Sequence, residues 1–284
     1  MRITFRYLLI VLLAFTLIPS CDVEDDPYLV PEGKPGPGPD PTEKVRKLLL
    51  EEFTGHTCVN CPEGAMLAHD LKNQYGEQLI LMSIHAGAFA EPSTAPYTAD
   101  YRTQAGNDLN AYYNVLFYPS AMINRTKYNS QYALFTGVWQ DAIEALINLP
   151  PDAHIDLSLE YEAITRTLTG NVSVEFLNDF TCDFNICFYL LESGIISAQK
   201  NDNSSVGTVP EILDYEHNHM LRDAYNGAWG TEIAAGGVSA GQVETTTFTM
   251  TLHDGWNQEN CAIVAFVYNA TTKEVVQAEE KEVM

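Results

Sequence analysis

The sequence predicts a fold of the α/β plus all-β class, with an α/β domain followed by an antiparallel β-sandwich. Residues 45–150 alternate short apolar runs with segments of helical periodicity, a pattern typical of β-α-β units with buried parallel strands. Residues 151–284 instead alternate apolar and polar positions with a period of two and show almost no helical pattern. Pro150 and Pro151 separate the two patterns, so we expect two domains with a boundary at these prolines.

The elements of the first domain follow from its apolar runs and the residues that end them. An apolar strand over 45–53 should stop at Gly55. A helix should follow, because Pro62 suits a first turn and Gly76 suits a C-terminus. An apolar strand, an irregular insert, a strand-like segment and a closing helix come next, at 78–87, 88–112, 115–125 and 138–149.

The second domain should consist of short strands joined by turns rich in Gly, Asn and Asp. Two of the strands are continuously apolar, as central strands are, and the others alternate. The predicted strands lie at 154–161, 171–178, 185–192, 243–252, 261–269 and 274–279. Residues 196–240 form a long connection that contains many aromatic residues, which argues against simple disorder.

The N-terminus has the features of an export signal. Arg2 and Arg6 precede an apolar stretch over 7–18, which is short for a membrane span, and small Ser20 precedes Cys21. We therefore expect a signal peptide over 1–20. A signal peptide that ends before a cysteine resembles the lipobox of bacterial lipoproteins, which implies a lipid anchor on Cys21. Plain secretion with a free thiol is the alternative.

Residues 21–44 should form a tether rather than a folded element, because their prolines and glycines cannot bury a core. The acidic cluster over 22–26 resembles the signals that send lipoproteins of Bacteroidetes-type bacteria to the outer face of the outer membrane. A solvated tether without such an address is the alternative.

The charge of the chain disfavours one class of partner. The formal net charge is −23, and removal of the signal, which carries two basic and no acidic residues, makes it −25. Nucleic acid and anionic headgroups are therefore poor partners.

Cys58 and Cys61 lie between a predicted strand and the start of a predicted helix. A thiolate at a helix N-terminus has a lowered pKa and is a better nucleophile. Cys58 would then attack, and Cys61 would resolve the mixed disulfide. A zinc half-site lacks a second ligand pair at normal spacing. A static disulfide in an exported protein is the stronger alternative.

The segments "LLLEEFTGHTCVNCPEG" and "LFYPSAMINR" resemble the thioredoxin superfamily over residues 45–150. The resemblance implies that Glu52, six positions before Cys58, relays protons. It also implies that Pro119 is a cis-proline that faces the cysteines and orients a substrate strand. His56-Thr57 replaces the usual tryptophan, and the Val59-Asn60 pair does not identify the redox direction.

The remaining thiols and histidines give weaker predictions. With Cys21 lipidated, one disulfide and one leftover thiol is the simplest count among Cys182, Cys187 and Cys261, and three buried free thiols are the alternative. His217 and His219 have a spacing that could present both rings to a metal, although packing and hydrogen bonding are commoner uses. We expect no cofactor.

The whole arrangement, with "EEFTGHTCVNCP", "YEHNHMLR" and "NCAIVAFVYN", resembles the outer membrane protein twenty-eight family of Bacteroidetes, whose founding member is described as a candidate adhesin. The resemblance implies an outer-membrane, surface-facing location. Two functions stay open. The chain could exchange disulfides with extracytoplasmic protein thiols, or it could bind surface ligands as an adhesin-like module in which the disulfide is structural.

Overall fold

The computed structural model describes residues 44–284, in which β-strands predominate over three α-helices. The helices are α1 (Cys61–Tyr75), α2 (Gln104–Tyr112) and α3 (Trp139–Ile147). The strands are β1 (Leu48–Thr54), β2 (Leu79–His85), β3 (Ser120–Ile123), β4 (Ala153–Glu162), β5 (Thr167–Phe176), β6 (Phe184–Glu192), β7 (Ile195–Lys200), β8 (Glu211–His217), β9 (Met220–Ala224), β10 (Thr231–Ala234), β11 (Val243–Thr251), β12 (Cys261–Asn269) and β13 (Val275–Glu282).

The predicted β-α-β unit is confirmed. β1 and β2 pair in parallel, and α1 connects them. All seven residues of β1 are buried, as a strand covered on both faces requires. Pro62 lies in the first turn of α1, and Gly76 ends the helix with a φ of 57°. This left-handed conformation is one that glycine adopts at little cost.

The largest sheet has eight strands and draws them from both halves of the chain. Seven run in the order β13-β12-β6-β9-β2-β1-β3, and β10 pairs with β6. A three-stranded sheet, β11-β5-β4, and the hairpin β7-β8 are separate. Residues 44–284 form one compact unit, with strands from both sides of Pro150-Pro151 in one sheet. The division into domains 45–150 and 151–284 therefore stays a prediction.

Three apolar cores cover the large sheet. On one face, α1 and α3 pack over β1 and β2 around Trp139. On the same strands the opposite face contributes Phe53 and Met82 to a core that continues under β6 and β12 and includes α2. The three-stranded sheet packs against β6 and β12 through a third core. This last arrangement is the sandwich that the period-two pattern predicts.

Two irregular segments contain more regular structure than the sequence predicts. The long connection at 196–240 holds most of β7 and all of β8, β9 and β10, and the insert at 88–112 holds α2. β8 has no alternation of buried and exposed residues, since only His217 in it is fully buried. Because its pairing partner β7 supplies its backbone hydrogen bonds, β8 forms without the apolar pattern that would have revealed it.

The expected disulfide among the last three cysteines is not formed. Cys182, Cys187 and Cys261 are free thiols. Cys187 faces the core that includes α2, whereas Cys261 faces the core of the sandwich. The two side chains point to opposite faces of the sheet, so they cannot meet.

The predicted signal peptide at 1–20, the predicted lipidation site Cys21 and all of the predicted tether except Lys44 lie outside the described residues. Lys44 forms an ion pair with Glu175 at 2.6 Å. No helix within 44–284 is long and apolar enough to cross a membrane.

Candidate functional site

The chain turns from β1 into α1 at Cys58 and Cys61, which form a disulfide with a Cα–Cα distance of 5.4 Å. Cys61 is the first residue of α1, and the backbone N–H of Cys58 donates to the carbonyl of Gly55 at 3.0 Å. The disulfide therefore lies at the N-terminus of a helix, as the sequence predicts. Each cysteine is only 2% exposed.

A segment distant in sequence covers the disulfide turn. Residues 199–202, here called the covering segment, bond to the backbone of residues 55–59. The Nε2 of Gln199 donates to the carbonyl of Cys58 at 2.8 Å, and the N–H of Lys200 donates to the carbonyl of His56 at 2.9 Å. Gln199 is buried. The covering segment thus fixes the turn that carries Cys58 from the side of the later strands.

The insert after β2 covers the turn from another side. The carbonyl of Phe89 accepts a hydrogen bond from the backbone N–H of Thr57 at 3.0 Å and another from its hydroxyl at 2.8 Å. A Cβ placed on Gly55 would lie 2.4 Å from the carbonyl carbon of Phe89. Only glycine allows this close approach, so the position of the insert depends on Gly55.

Glu52 lies beneath the first turn of α1. The side chain is buried and its Oε1 has no hydrogen-bond partner within the described chain. A Cβ on Gly64 of α1 would come within 3.0 Å of this oxygen. Burial raises the pKa of Glu52 to about 8, and the hydroxyl of Ser83 offsets part of the shift. At neutral pH Glu52 is therefore mostly a carboxylic acid.

Pro119 meets α1 at the same point. The Tyr118–Pro119 peptide bond is cis, and a Cβ on Gly64 would lie 2.7 Å from the Cβ of Pro119. The structure therefore brings Glu52, Pro119 and the first turn of α1 together around a single glycine. Their functional roles stay predictions.

A cavity of about 300 Å³ opens beside this group, between α1, β2 and β8. Its wall is largely apolar and includes the polar residues Glu52, Ser83 and His85. Cys61 lines the cavity, whereas Cys58 does not. The volume is at the lower end of the range for small-molecule sites.

The two histidines of "EHNHMLR" line this cavity. His217 ends β8, its Nε2 lies 3.0 Å from the hydroxyl of Ser197, and its ring contacts those of His85 and Tyr101. His219 follows in a turn with a φ of 53°. Residues 44–284 contain no group of three or more His, Cys, Asp or Glu side chains arranged for a metal ion. The two rings belong to the packed wall of the cavity.

Burial keeps these imidazoles neutral. It lowers the pKa of His217 and of His219 to about 4, and it lowers the pKa of His85 well below its ordinary value. The neighbouring charged form of His217 also opposes protonation of His85. The buried part of the cavity wall is therefore largely neutral at pH 7, whereas the exposed side chain of Glu216 adds an acidic group to the lining.

Sequence reasoning missed Gln199, Ser83, His85 and the structural role of Gly64. Leu81, Ser83 and His85 are spaced two residues apart on β2 and so share one face, and a period-two count along that strand could have placed Ser83 and His85 on the cavity face. Gln199 has no comparable signal, because it reaches the turn from a strand that is 141 residues away in sequence.

Comparisons with known proteins identify the family. A family model described as "Outer membrane protein Omp28" matches residues 106–284. No curated protein sequence matches the chain. Among solved structures, HBP35 of Porphyromonas gingivalis is similar over 85% of this chain and 76% of that chain, at 14% identity and a TM-score of 0.61. A protein from Agrobacterium tumefaciens is similar over 85% of this chain and 96% of that one, at 14% identity and a TM-score of 0.50.

A domain of the outer membrane lipoprotein Omp28 from Porphyromonas gingivalis is 24% identical over 47% of this chain and 88% of that chain, with a TM-score of 0.30. The first two likenesses show the fold alone. The family model covers well over half of the sequence, and the chain therefore belongs to the Omp28 family of outer membrane proteins.

Proposed function

We propose that this protein is a lipid-anchored, surface-exposed outer-membrane protein whose Cys58–Cys61 disulfide exchanges with extracytoplasmic thiols. The observation that carries the exchange proposal is the position of the disulfide at the start of α1, above a buried Glu52 with a pKa raised to about 8. A carboxyl with a pKa close to that of a thiol is suited to transferring protons during exchange.

The neighbourhood of Pro119 supports a thioredoxin-like role for this half of the chain. β1 and β2 are parallel around α1, β3 runs antiparallel to β1, and a cis Pro119 lies against Gly64. In this proposal Cys58 and Cys61 are the redox pair, Glu52 is the proton relay, and Pro119 orients the substrate.

The location of the protein rests on the family and on the sequence. Omp28 proteins are outer membrane proteins, and Cys21 follows a segment that resembles a lipoprotein signal. Lipidation at Cys21 would anchor the chain. A Cys21→Ser variant that stays in the membrane fraction after carbonate washing would contradict this anchor.

A redox titration tests the exchange proposal. The disulfide should come to equilibrium with dithiothreitol and glutathione buffers under native conditions, at a reduction potential above roughly −300 mV, the value below which structural disulfides lie. Alkylation and mass spectrometry report the reduced fraction of the pair, and a Cys58→Ser, Cys61→Ser variant supplies the control for the three other described thiols. A potential below that value excludes the exchange function.

One observation favours a second candidate, a surface-binding module with a structural disulfide. The covering segment and the carbonyl of Phe89 hold the turn from two sides, and both cysteines are 2% exposed. A low potential, together with unchanged ligand binding in the serine variant, would support this candidate.

A further inference from the structure

The covering segment and the cavity give the two sulfurs of the disulfide different surroundings. The turn that carries Cys58 is bonded to Gln199 on one side and to Phe89 on the other. Cys61 instead forms part of the cavity wall, together with Pro62 and Ala65 of α1. The cavity is therefore the open approach to the disulfide, and it leads to the second cysteine of the pair.

Two buried polar atoms in the cavity wall lack partners. The Oε1 of Glu52 and the Nδ1 of His85 have no hydrogen bond within the described chain, and both residues line the cavity. Glu52 is 2% exposed and His85 is 3% exposed. Buried polar groups normally find a partner, so a molecule with a small polar group is suited to this space.

We propose that the cavity admits a small, uncharged thiol, which attacks the Sγ of Cys61 and not that of Cys58. This proposal rests on the exchange function proposed above and names its substrate class. It reverses the roles that the sequence predicts for the two cysteines, because Cys61 and not Cys58 lines the cavity. The attacking sulfur forms a bond to Cys61, and the Cys58–Cys61 bond breaks with its electron pair on Cys58. A second thiol then attacks the sulfur of the bound small molecule, so that two thiols are oxidised to one small disulfide and the protein disulfide is reduced to two thiols.

Glu52 and the N-terminus of α1 lie where the reaction needs a proton acceptor and a site for the leaving thiolate. The ionised fraction of Glu52, whose pKa is about 8, accepts the proton of the entering thiol, and Glu52 lines the same cavity as Cys61. Cys58 leaves as a thiolate beside the N-terminus of α1, whose unpaired N–H groups favour a negative charge.

The nature of the wall sets the substrate class. His217 and His219 of the wall are neutral at pH 7 and the lining is largely apolar, so a charged thiol would lose its hydration on entry. An anionic thiol would also meet the acidic Glu216 in the lining. The volume of about 300 Å³ accommodates a small molecule, but a protein thiol would have to displace the covering segment. An uncharged thiol such as 2-mercaptoethanol should therefore react faster than glutathione.

Mapping the mixed disulfide in the full chain tests which sulfur is attacked. The oxidised protein is treated with 2-mercaptoethanol, free thiols are alkylated by N-ethylmaleimide at short times, and tandem mass spectrometry locates the two groups. We expect the mercaptoethanol adduct on Cys61 and the alkyl group on Cys58. An adduct on Cys58 overturns the proposal but leaves the exchange function standing. A disulfide that no thiol reduces under native conditions overturns both.

Filling the cavity tests the route. Ala65→Phe, on the wall, should slow reduction by 2-mercaptoethanol at least tenfold, whereas Ala111→Phe, an exposed alanine of α2, should leave the rate within twofold of wild type. Reduction by glutathione, corrected for its thiolate fraction, should be at least tenfold slower than reduction by 2-mercaptoethanol in the wild-type protein. Equal rates in the two variants would overturn the route. The adduct mapping uses the wild-type chain and decides the question even where Ala65→Phe does not fold.

Discussion

The two faces of β1 place neighbouring glutamates in different electrostatic environments. Glu51 and Glu52 are consecutive, and both are buried, with 0% and 2% of their surface exposed. Because successive side chains of a strand point to opposite faces of the sheet, Glu51 enters the core that includes α2, and Glu52 enters the space under α1. One face supplies a partner of opposite charge and the other does not.

On the first face, Arg125 neutralises Glu51. The Nε of Arg125 donates to the Oε2 of Glu51 at 2.9 Å, and its Nη2 donates to the Oε1 at 2.6 Å. The guanidinium also lies 4.9 Å from the ring centroid of Phe266 and 5.9 Å from that of Trp229. The pair therefore joins β1 and the end of β3 to aromatic residues of the later strands, which is a structural role.

On the second face, Glu52 has no cationic partner, and only the Ser83 hydroxyl favours its ionised form. Burial without compensation favours the neutral acid, so Glu52 can give or take a proton near pH 8. The comparison shows that the environment, and not the residue type, separates a carboxylate held in an ion pair from a carboxyl group that is mostly neutral at pH 7. Three substitutions test this comparison, beginning with the largest expected effect.

Arg125→Met should destabilise the protein by about 3–5 kcal/mol, because it leaves the buried Glu51 without a partner. The free energy of unfolding in urea is the measurement. Lys47→Met is the matched control, since it breaks the Lys47–Glu279 pair, whose side chains are each 20% exposed, and should cost about 1 kcal/mol or less. Similar losses in the two variants would show that Glu51 does not depend on Arg125.

Glu52→Gln should remove a pH dependence of stability. The folded pKa of about 8 exceeds the ordinary value of 4.5, so between these values the folded chain holds a proton that the unfolded chain releases. Stability due to this group is therefore complete below pH 4.5 and is lost as the pH rises toward 8. Glutamine does not ionise, so between pH 5 and pH 8 the variant should gain on the order of 3 kcal/mol relative to wild type.

Urea unfolding of Glu52→Gln and wild type at several pH values measures this difference. Glu63→Gln, which changes a solvent-exposed carboxyl in the first turn of α1, is the control and should follow the wild-type curve. A Glu52→Gln curve that also runs parallel to wild type would mean that Glu52 is ionised at neutral pH.

Gly64→Ala should have the smallest effect, a loss of about 1–2 kcal/mol from overpacking. The added Cβ would lie 2.7 Å from Pro119 and 3.0 Å from the Oε1 of Glu52, which outweighs the roughly 1 kcal/mol that alanine contributes to an open helix position. Thermal unfolding measures the difference. A gain in stability would mean that α1 does not approach Pro119 and Glu52 this closely.

Much of the local structure was predictable from the sequence. The apolar runs predicted β1 and β2, the prolines and glycines predicted the bounds of α1, and the alternating pattern predicted β4, β5, β6, β11, β12 and β13. The position of Cys58 and Cys61 between a strand and a helix also followed from these local signals. Periodicity and capping residues report the conformation of neighbouring residues, which explains why these predictions held.

The strands of the 196–240 segment and the surroundings of the disulfide were not predictable. β8 is stabilised by pairing with β7, and β9 pairs with β2 only where Met220 meets Ser83. Three free cysteines replace the expected disulfide, and the sheet turns two of them, Cys187 and Cys261, to opposite faces. Each of these outcomes depends on residues that are far apart in the chain.

The sequence by itself determined the elements outside the 88–112 and 196–240 segments, the disulfide-bearing turn and the likeness to an outer membrane family. Only the tertiary structure decided that Glu51 meets Arg125, that Glu52 meets no cation, that Gln199 holds the carbonyl of Cys58, and that a cavity reaches Cys61. The physical reason is that backbone conformation depends on local sequence, whereas the ionisation of a buried acid and the access to a sulfur depend on the groups that folding brings from distant segments.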